Sequence, residues 1–279
     1  AKQFQGLSPG NSPNFSGHVL LRKLCAHLMD DLRYIYPVAR VRVLETRLLK
    51  KEVFLNMLAE DTLDLALRII SQTINDTPDI TNIRDSKDVD IFINSETQRL
   101  IKLAKELFIE SYLLEAYIYL RKDLSRSYSL IMQSNSGIMK DFIKKFIDLY
   151  NIKTFLRMNY QKQPAEVLKT NLIEGGYIPE VEFINQFGKS WEGSYRESIR
   201  DGLAQLEKEN SFSILEREID AYLAKLMRQA RYLFFGPEPV FGYLLAKENE
   251  LKSLQLVLLA KINNISGSEI KKRLTLNYA

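Results

Sequence analysis

The chain has 279 residues, of which 46% are hydrophobic and 27% are charged. A chain of this length can bury a sizeable core without disulfides or metal, and its single cysteine, Cys25, cannot form an internal disulfide. The 39 basic and 35 acidic residues give a net charge of +4, which is a weak bias for a nucleic-acid-binding protein. No apolar stretch reaches the ~18 residues of a membrane-spanning helix, so the sequence predicts no span.

Residues 1–28 are interpreted as a flexible leader, either native or added by cloning. The first 17 residues, AKQFQGLSPGNSPNFSG, are rich in Gly, Pro and Ser and lack apolar periodicity. We therefore expect the folded part to begin at Met29, and deletion of residues 1–28 to leave the melting temperature unchanged.

The first helix is predicted to start at Pro37, because proline fits the first turn of a helix. Val41, Leu44 and Leu48 then recur at spacings of three and four residues, as on an apolar helix face. A second helix is predicted from about Asp61, whose side chain can cap it.

Residues 75–95 are rich in Asn and Asp and are predicted to form a loop. The rest of the chain has helical periodicity almost throughout, and no convincing segment alternates as a strand would. The further predicted helices cover residues 96–122, 138–160, a short stretch from Gln163 that ends at Gly175-Gly176, 180–187, 197–209, 213–232, 240–262, and a terminal helix opened by the capping-box pattern Ser266–Glu269. The predicted fold class is all-α.

One internal similarity has a period of 99 residues. Phe142, Phe146, Ile152, Lys153 and Phe155 match Phe241, Leu245, Leu251, Lys252 and Leu254. Any two amphipathic helices can be aligned in this way, so periodicity alone leaves open whether the similarity is a true repeat. A true repeat would mean helical units that each bury a face against their neighbours.

A search for catalytic chemistry gives negative results. The only histidines, His18 and His27, lie in the leader, which argues against a zinc site and a Ser–His or Cys–His nucleophile. Gly188-Lys189-Ser190 imitates the end of a phosphate-binding loop, but Phe183 stands where that motif needs glycine, so a turn between helices is expected. The sequence therefore predicts no catalytic residue, no metal site and no cofactor.

Acidic clusters are interpreted as helix caps. Glu60, Asp61 and Asp64 lie close together, and so do Asp30 and Asp31, but neither cluster has the opposed acidic motif that a metal site in a helical bundle requires. Both stand at predicted helix starts, where negative charge is favourable.

The segment from Leu21 to Lys51 contains eight basic and three acidic residues. Three interpretations stay open from composition: a solvated helix face, a docking surface for a protein partner, and a nucleic-acid-binding face. Spacing predicts that Arg42 pairs with Glu45 on its own helix. Arg40 and Arg47 share a different face and are predicted to meet acidic groups in a neighbouring helix or on a partner.

Two stretches resemble a known family. They are Tyr36–Leu49, with the sequence YPVARVRVLETRLL, and Phe235–Lys252, with the sequence FGPEPVFGYLLAKENELK. Both are similar to the C subunit of archaeal and bacterial V-type (A-type) rotary ATPases, which corresponds to the d subunit of the eukaryotic vacuolar enzyme. Asn151–Arg157, followed by Gly175-Gly176, resembles the middle repeat of that family.

The resemblance implies a non-catalytic component of an ion-translocating rotary ATPase. Its expected fold is a funnel of three similar helical domains around a pseudo-threefold axis, here at residues 29–135, 136–210 and 211–279. The first copy of the repeat is not recognisable, which leaves a reduced N-terminal domain open. The implied partners are the central shaft and the membrane proteolipid ring, with no nucleic acid and no small-molecule substrate. The implied location is cytoplasmic, peripheral on the inner face of the cell membrane.

The candidate interface residues lie within the two resembling stretches and are Arg40, Arg47, Glu238, Glu248 and Glu250. Two other classes of protein remain as alternatives. A free-standing α-helical repeat scaffold would bind protein partners through open stacking of helix pairs, and a magnesium-dependent helical enzyme would need opposed acidic motifs.

Overall fold

The computed structural model describes residues 32–73 and 80–274, apart from the side chain of Thr81. Within these ranges the chain forms thirteen α-helices and three 3-10 helices and contains no strand, which confirms the all-α prediction. The predicted leader, residues 1–28, lies outside the described residues.

The helices follow one another with short connections. The α-helices are α1 (Ile35–Glu45), α2 (Lys51–Ala59), α3 (Leu63–Thr73), α4 (Ser86–Leu107), α5 (Ser111–Tyr119), α6 (Leu124–Ile131), α7 (Gly137–Tyr160), α8 (Ala165–Asn171), α9 (Glu180–Gln186), α10 (Arg200–Glu209), α11 (Ser213–Met227), α12 (Glu238–Ile262) and α13 (Gly267–Lys271). The 3-10 helices are Ile80–Asn82, Arg196–Ile199 and Arg228–Tyr232.

The loop predicted over residues 75–95 is wrong for its second half, because α4 begins at Ser86. A capping box starts this helix: the Asp85 side chain accepts the N–H of Asp88, and the Asp88 side chain accepts the N–H of Asp85. The usual third residue of such a box is Glu or Gln. Because Asp88 occupies that position, the sequence lacks the usual capping-box pattern and is predicted to be a polar loop.

The single helix predicted over residues 96–122 is also wrong. The chain leaves the helix at Phe108, which is extended, and α5 starts at Ser111. The hydroxyl of Tyr34 accepts the N–H of Ile109 at 3.2 Å and donates to Glu110. A tertiary contact therefore satisfies the backbone at the break.

Several other boundaries differ from the predictions. Helices α2 and α6 were not predicted as separate elements, α1 begins two residues before Pro37, and α8 ends before Gly175-Gly176. The predicted 213–232 helix ends in 3-10 geometry from Arg228. The Ser266 side chain caps no backbone N–H of α13, so that predicted capping box does not form.

Helix α12 lies at the centre of the molecule. Every residue from Pro239 to Ala246 is buried, so this part of the helix is covered on all sides. It packs against α4 along much of its length and also contacts α1, α2, α11 and α13. A helix that is apolar around its whole circumference belongs in the interior of a protein.

The positions of the 99-residue similarity fall on α7 and α12. The equivalent residues Phe142 and Phe241 touch each other, with ring centroids 5.7 Å apart and planes at 78°. The two helices thus meet at one pair of matching positions.

The equivalent lysines of the two helices reach the same neighbour, α11. Lys153 Nζ lies 3.6 Å from Glu216 Oε1, and Lys252 Nζ lies 3.3 Å from Asp220 Oδ2. Glu216 and Asp220 are four residues apart, about one helical turn. Two acidic residues on one face of α11 thus form ion pairs with α7 and α12.

The described residues form two apolar cores. The larger core combines α1, the end of α4, α5 to α11, and α12 as far as Leu251. The smaller core combines α2, α3, the start of α4, the end of α12 and α13. Helices α4 and α12 contribute to both cores. In the smaller core, residues 49–92 pack with residues 254–274, which are distant in sequence. The domain boundaries near residues 135 and 210 stay a prediction.

Candidate interaction surface

Arg40 lies on α1 and pairs with α4, where its Nη1 is 2.8 Å from Glu106 Oε2. The side chains of Arg40 and Glu106 are 36% and 43% exposed. Solvent screens such a pair, whose contribution to stability is about 0–1 kcal/mol. Arg40 therefore meets an acidic group of a neighbouring helix, as predicted, but at the surface.

Arg42 makes the expected pair with Glu45, at 2.8 Å, and also crosses to a distant segment. Its Nη2 donates to the backbone carbonyls of Leu233, at 2.6 Å, and Ala230, at 3.4 Å. The prediction that Arg42 mainly supports its own helix is wrong, because its guanidinium ties α1 to the segment that precedes α12. No local sequence signal indicates this contact.

Arg40, Arg47 and Glu250 all interact electrostatically with Tyr243 on α12. Burial raises the pKa of Tyr243 above its ordinary value, and the carboxylates of Glu250 and Glu45 raise it further. The positive charges of Arg47 and Arg40 act in the opposite direction on that pKa. Three of the five predicted interface residues therefore share one electrostatic environment at the junction of α1 and α12.

Glu250 is buried and has a structural task within this chain. Its carboxylate accepts the backbone N–H of Leu49 at 2.7 Å and the ammonium group of Lys247. Leu49 belongs to the short connection between α1 and α2. Glu250 thus fastens this connection to the central helix and presents almost no surface to a partner.

Glu248 lies on the opposite side of α12, since two residues turn a helix by about 200°. Its Oε2 is 3.5 Å from Arg121 Nε, in the connection between α5 and α6. Burial raises the pKa of the neighbouring Tyr117, and the negative charge of Glu248 raises it further. The five candidates thus do not form one continuous patch.

Glu238 stands in the first turn of α12, where a carboxylate interacts favourably with the helix dipole. It is partly exposed and forms no ion pair with any of the residues that the structure describes. Among the five candidates, it is the carboxylate most readily available to a partner.

Three exposed aromatic residues precede Glu238 and form what we call the aromatic loop. Tyr232, Phe234 and Phe235 are 77%, 77% and 46% exposed. Gly236 follows with φ +83°, a left-handed conformation that favours glycine and turns the chain into α12. Exposed apolar clusters often mark interaction sites, and aromatic residues are enriched at interfaces. The sequence motif includes Phe235, but sequence reasoning missed this surface.

Metal-ligand clusters, the predicted turn and membrane-spanning helices were features that the sequence left to be checked among the described residues. In the described part of the chain, no group of three or more His, Cys, Asp and Glu could hold a metal ion. Gly188-Lys189-Ser190 forms a turn after α9, as predicted. None of the described helices is both long and apolar enough to cross a membrane.

The chain matches one family model and several curated proteins. The family model of the ATP synthase (C/AC39) subunit matches residues 97–273, more than half of the chain. The C subunit of the A-type ATP synthase of Methanobrevibacter smithii is 26% identical over 172 residues, which cover 57% of this chain and 42% of that protein. The C subunit of the V-type sodium ATPase of Enterococcus hirae is 30% identical over 168 residues, which cover 58% of this chain and 51% of that protein.

A third relative is the C subunit of the A-type ATP synthase of Methanocaldococcus jannaschii, 27% identical over 180 residues that cover 61% of this chain and 43% of that protein. The chain thus spans about half the length of the curated relatives it matches. The matched region runs from the middle of α4 through α12 to Arg273 and includes the aromatic loop and both helices of the 99-residue similarity. The chain belongs to the ATP synthase (C/AC39) subunit family.

Proposed function

We propose that this protein is a non-catalytic coupling component of a V-type or A-type rotary ATPase. In this role it connects the central shaft to the membrane proteolipid ring and passes torque between nucleotide turnover and ion translocation. It lies on the cytoplasmic side of the membrane and is held there by the ring.

The observation that carries this proposal is the family match over residues 97–273, together with relatives named as the C subunits of A-type and V-type enzymes. The contact between the matching residues Phe142 of α7 and Phe241 of α12 supports a repeated, pseudo-symmetric construction. The enclosed position of α12 argues against the alternative of an open scaffold, because a solenoid repeat contacts only its neighbours in sequence.

The aromatic loop and Glu238 are the surface through which we propose that the protein binds another component of the complex. Tyr232, Phe234 and Phe235 supply apolar area, and Glu238 supplies an uncompensated charge beside it. Arg42 holds the base of this loop against α1, so the loop is presented from a fixed support. A fixed binding loop loses less conformational entropy when it binds.

The test is affinity capture of the tagged full-length chain from native membranes, with identification of the captured proteins. We expect shaft and proteolipid components to be captured together, and the double variant Phe234→Ala/Phe235→Ala to retain less than about a tenth of them, since central interface aromatics contribute most of the binding free energy. The matched control is Ile91→Ala/Val181→Ala, which removes two apolar side chains that are each 59% exposed elsewhere.

Capture of neither component by the parent chain would contradict the proposed function. Equal capture by the aromatic-loop variant and the control variant would leave the function standing and remove the aromatic loop from it. Nucleotide hydrolysis by the purified chain that a single acidic substitution abolishes would show that the protein is an enzyme.

A further inference from the structure

A second surface feature has the size and lining of a small-molecule site. A cavity of about 460 Å³ opens between the end of α7, the turn after α9, the 3-10 helix Arg196–Ile199, and α10. Ligand cavities in proteins commonly measure about 300–1,000 Å³. No residue of the aromatic loop and none of the five candidate interface residues lines this cavity.

The lining of the cavity is positively charged. Lys189, Arg196 and Arg200 contribute three cations, and Glu207 is the one carboxylate among the lining residues. With three cations and one carboxylate the lining residues have a net charge of +2, and a concave wall with an excess of one sign concentrates ligands of the opposite charge. The favoured ligand is therefore an anion.

The three cationic side chains can reorient toward a bound anion at a small cost in free energy. Arg196 pairs with Glu192 at 2.8 Å, and Arg200 lies 3.6 Å from Glu197 and 3.7 Å from Asp201. The side chains in all three pairs are at least half exposed. Exposed pairs of this kind contribute about 0–1 kcal/mol each. Lys189 is exposed and has no ion pair with any residue in the described ranges.

A short rigid turn presents Lys189 at the rim. Gly188 has φ +82°, and the Asn159 side chain accepts the Gly188 N–H at 3.0 Å and donates to the Lys189 carbonyl at 3.1 Å. These two bonds fix the turn to the end of α7. The turn lacks the strand and the first glycine of a phosphate-binding loop, so its contribution is the lysine ammonium group.

The remaining lining combines an aromatic and aliphatic part with the polar side chains of Asn159, Ser190 and Asn210. Tyr160 is 53% exposed and stands edge-on against Phe212. Trp191 is 1% exposed, and its ring is stacked on Phe183 at 5.1 Å, so the indole is fixed in place. Leu203 of α10 adds aliphatic surface. The aromatic and aliphatic part suits the flat apolar body of a ligand whose charged group lies at the basic rim.

We propose that this cavity binds an aromatic phosphate of mononucleotide size, with its phosphate at Lys189, Arg196 and Arg200 and its ring system near Tyr160. Phosphate pairs bidentately with arginine and as a point charge with lysine. This proposal is independent of the proposed coupling function and departs from the expectation that the protein binds no small molecule.

The chain reports on this site through its single tryptophan, because Trp191 lines the cavity. The purified full chain is titrated with AMP, GMP, CMP and UMP, and in parallel with adenosine and inorganic phosphate, by tryptophan fluorescence and by calorimetry. We expect saturable binding of at least one monophosphate, at least about tenfold tighter than adenosine or inorganic phosphate. The affinity should fall between about 50 and about 500 mM NaCl, because salt screens exposed charges.

The variant Lys189→Ala/Arg196→Ala should weaken binding at least about tenfold, whereas Lys208→Ala, which removes an exposed lysine of α10 that does not line the cavity, should leave it unchanged. Circular dichroism checks that each variant is folded, and Lys189→Gln replaces the double variant if that one unfolds. Absence of saturable binding by all four monophosphates overturns the proposal. Equal binding of adenosine, or equal loss in Lys208→Ala, also overturns it.

Discussion

At Arg42, one guanidinium group satisfies a carboxylate on its own helix and two backbone carbonyls that lie 188 and 191 residues later in the chain. Its partner Glu45 is only 6% exposed. Removal of the arginine would therefore take one charged donor from a nearly buried carboxylate and one from the backbone carbonyl of Leu233. Arg40, two residues earlier, makes one ion pair at the surface.

The first prediction compares these two arginines. Arg42→Ala should lower the free energy of unfolding by about 1.5–3 kcal/mol, as expected for hydrogen bonds that involve a charged group. Arg40→Ala should lower it by less than about 1 kcal/mol, because its pair is exposed. Urea unfolding followed by circular dichroism measures both, and equal losses would show that the contacts with Leu233 and Ala230 contribute nothing.

Local contacts within a site can be predicted from the sequence, whereas long-range contacts cannot. The Arg42–Glu45 pair followed from i,i+3 spacing. The buried position of Glu250 did not, because its bond to the N–H of Leu49 spans 201 residues. Likewise, hydrophobicity alone predicts that Tyr232, Phe234 and Phe235 are buried. Their exposure depends on the tertiary structure, which the local sequence does not reveal.

Among the elements, helices with a continuous apolar pattern were the predictable ones. The prediction for residues 138–160 differs from α7 by one residue, and the prediction for 240–262 differs from α12 by two. The break between α4 and α5 depends on Tyr34, which is 75 residues away from the amide that it accepts. Propensity within a local window contains no information about such a contact.

The Asp85 side chain caps the start of α4. Asp85→Ala removes the cap on the Asp88 N–H, measured at 2.9 Å, and should cost about 0.5–2 kcal/mol. Asp85→Asn keeps a capping oxygen and should lower the free energy of unfolding by at most a few tenths of a kcal/mol, because Asn is an equally good N-cap. Thermal unfolding of both variants decides the matter. If the two lose the same stability, the side-chain cap has no role in starting the helix.

The whole molecule is organised around α4 and α12, which continue from one apolar core into the other. A perturbation in the smaller core must strain two helices that the larger core also needs. Residues 49–92 and 254–274 meet in the smaller core although they are distant in sequence. Neither core therefore corresponds to a continuous segment. We therefore expect the described part of the chain to unfold as one cooperative unit rather than core by core.

Phe54 and Trp191 test this cooperativity from opposite cores. Phe54 is fully buried in the smaller core, and Phe54→Ala should cost about 3–5 kcal/mol by leaving a cavity. Trp191 lies in the larger core and reports on it by fluorescence. If the cores are coupled, the fluorescence midpoint and the circular dichroism midpoint fall together and by the same amount in the variant. A fluorescence midpoint that stays at the parent value would show instead that the smaller core unfolds alone and that α12 transmits no strain between the two cores.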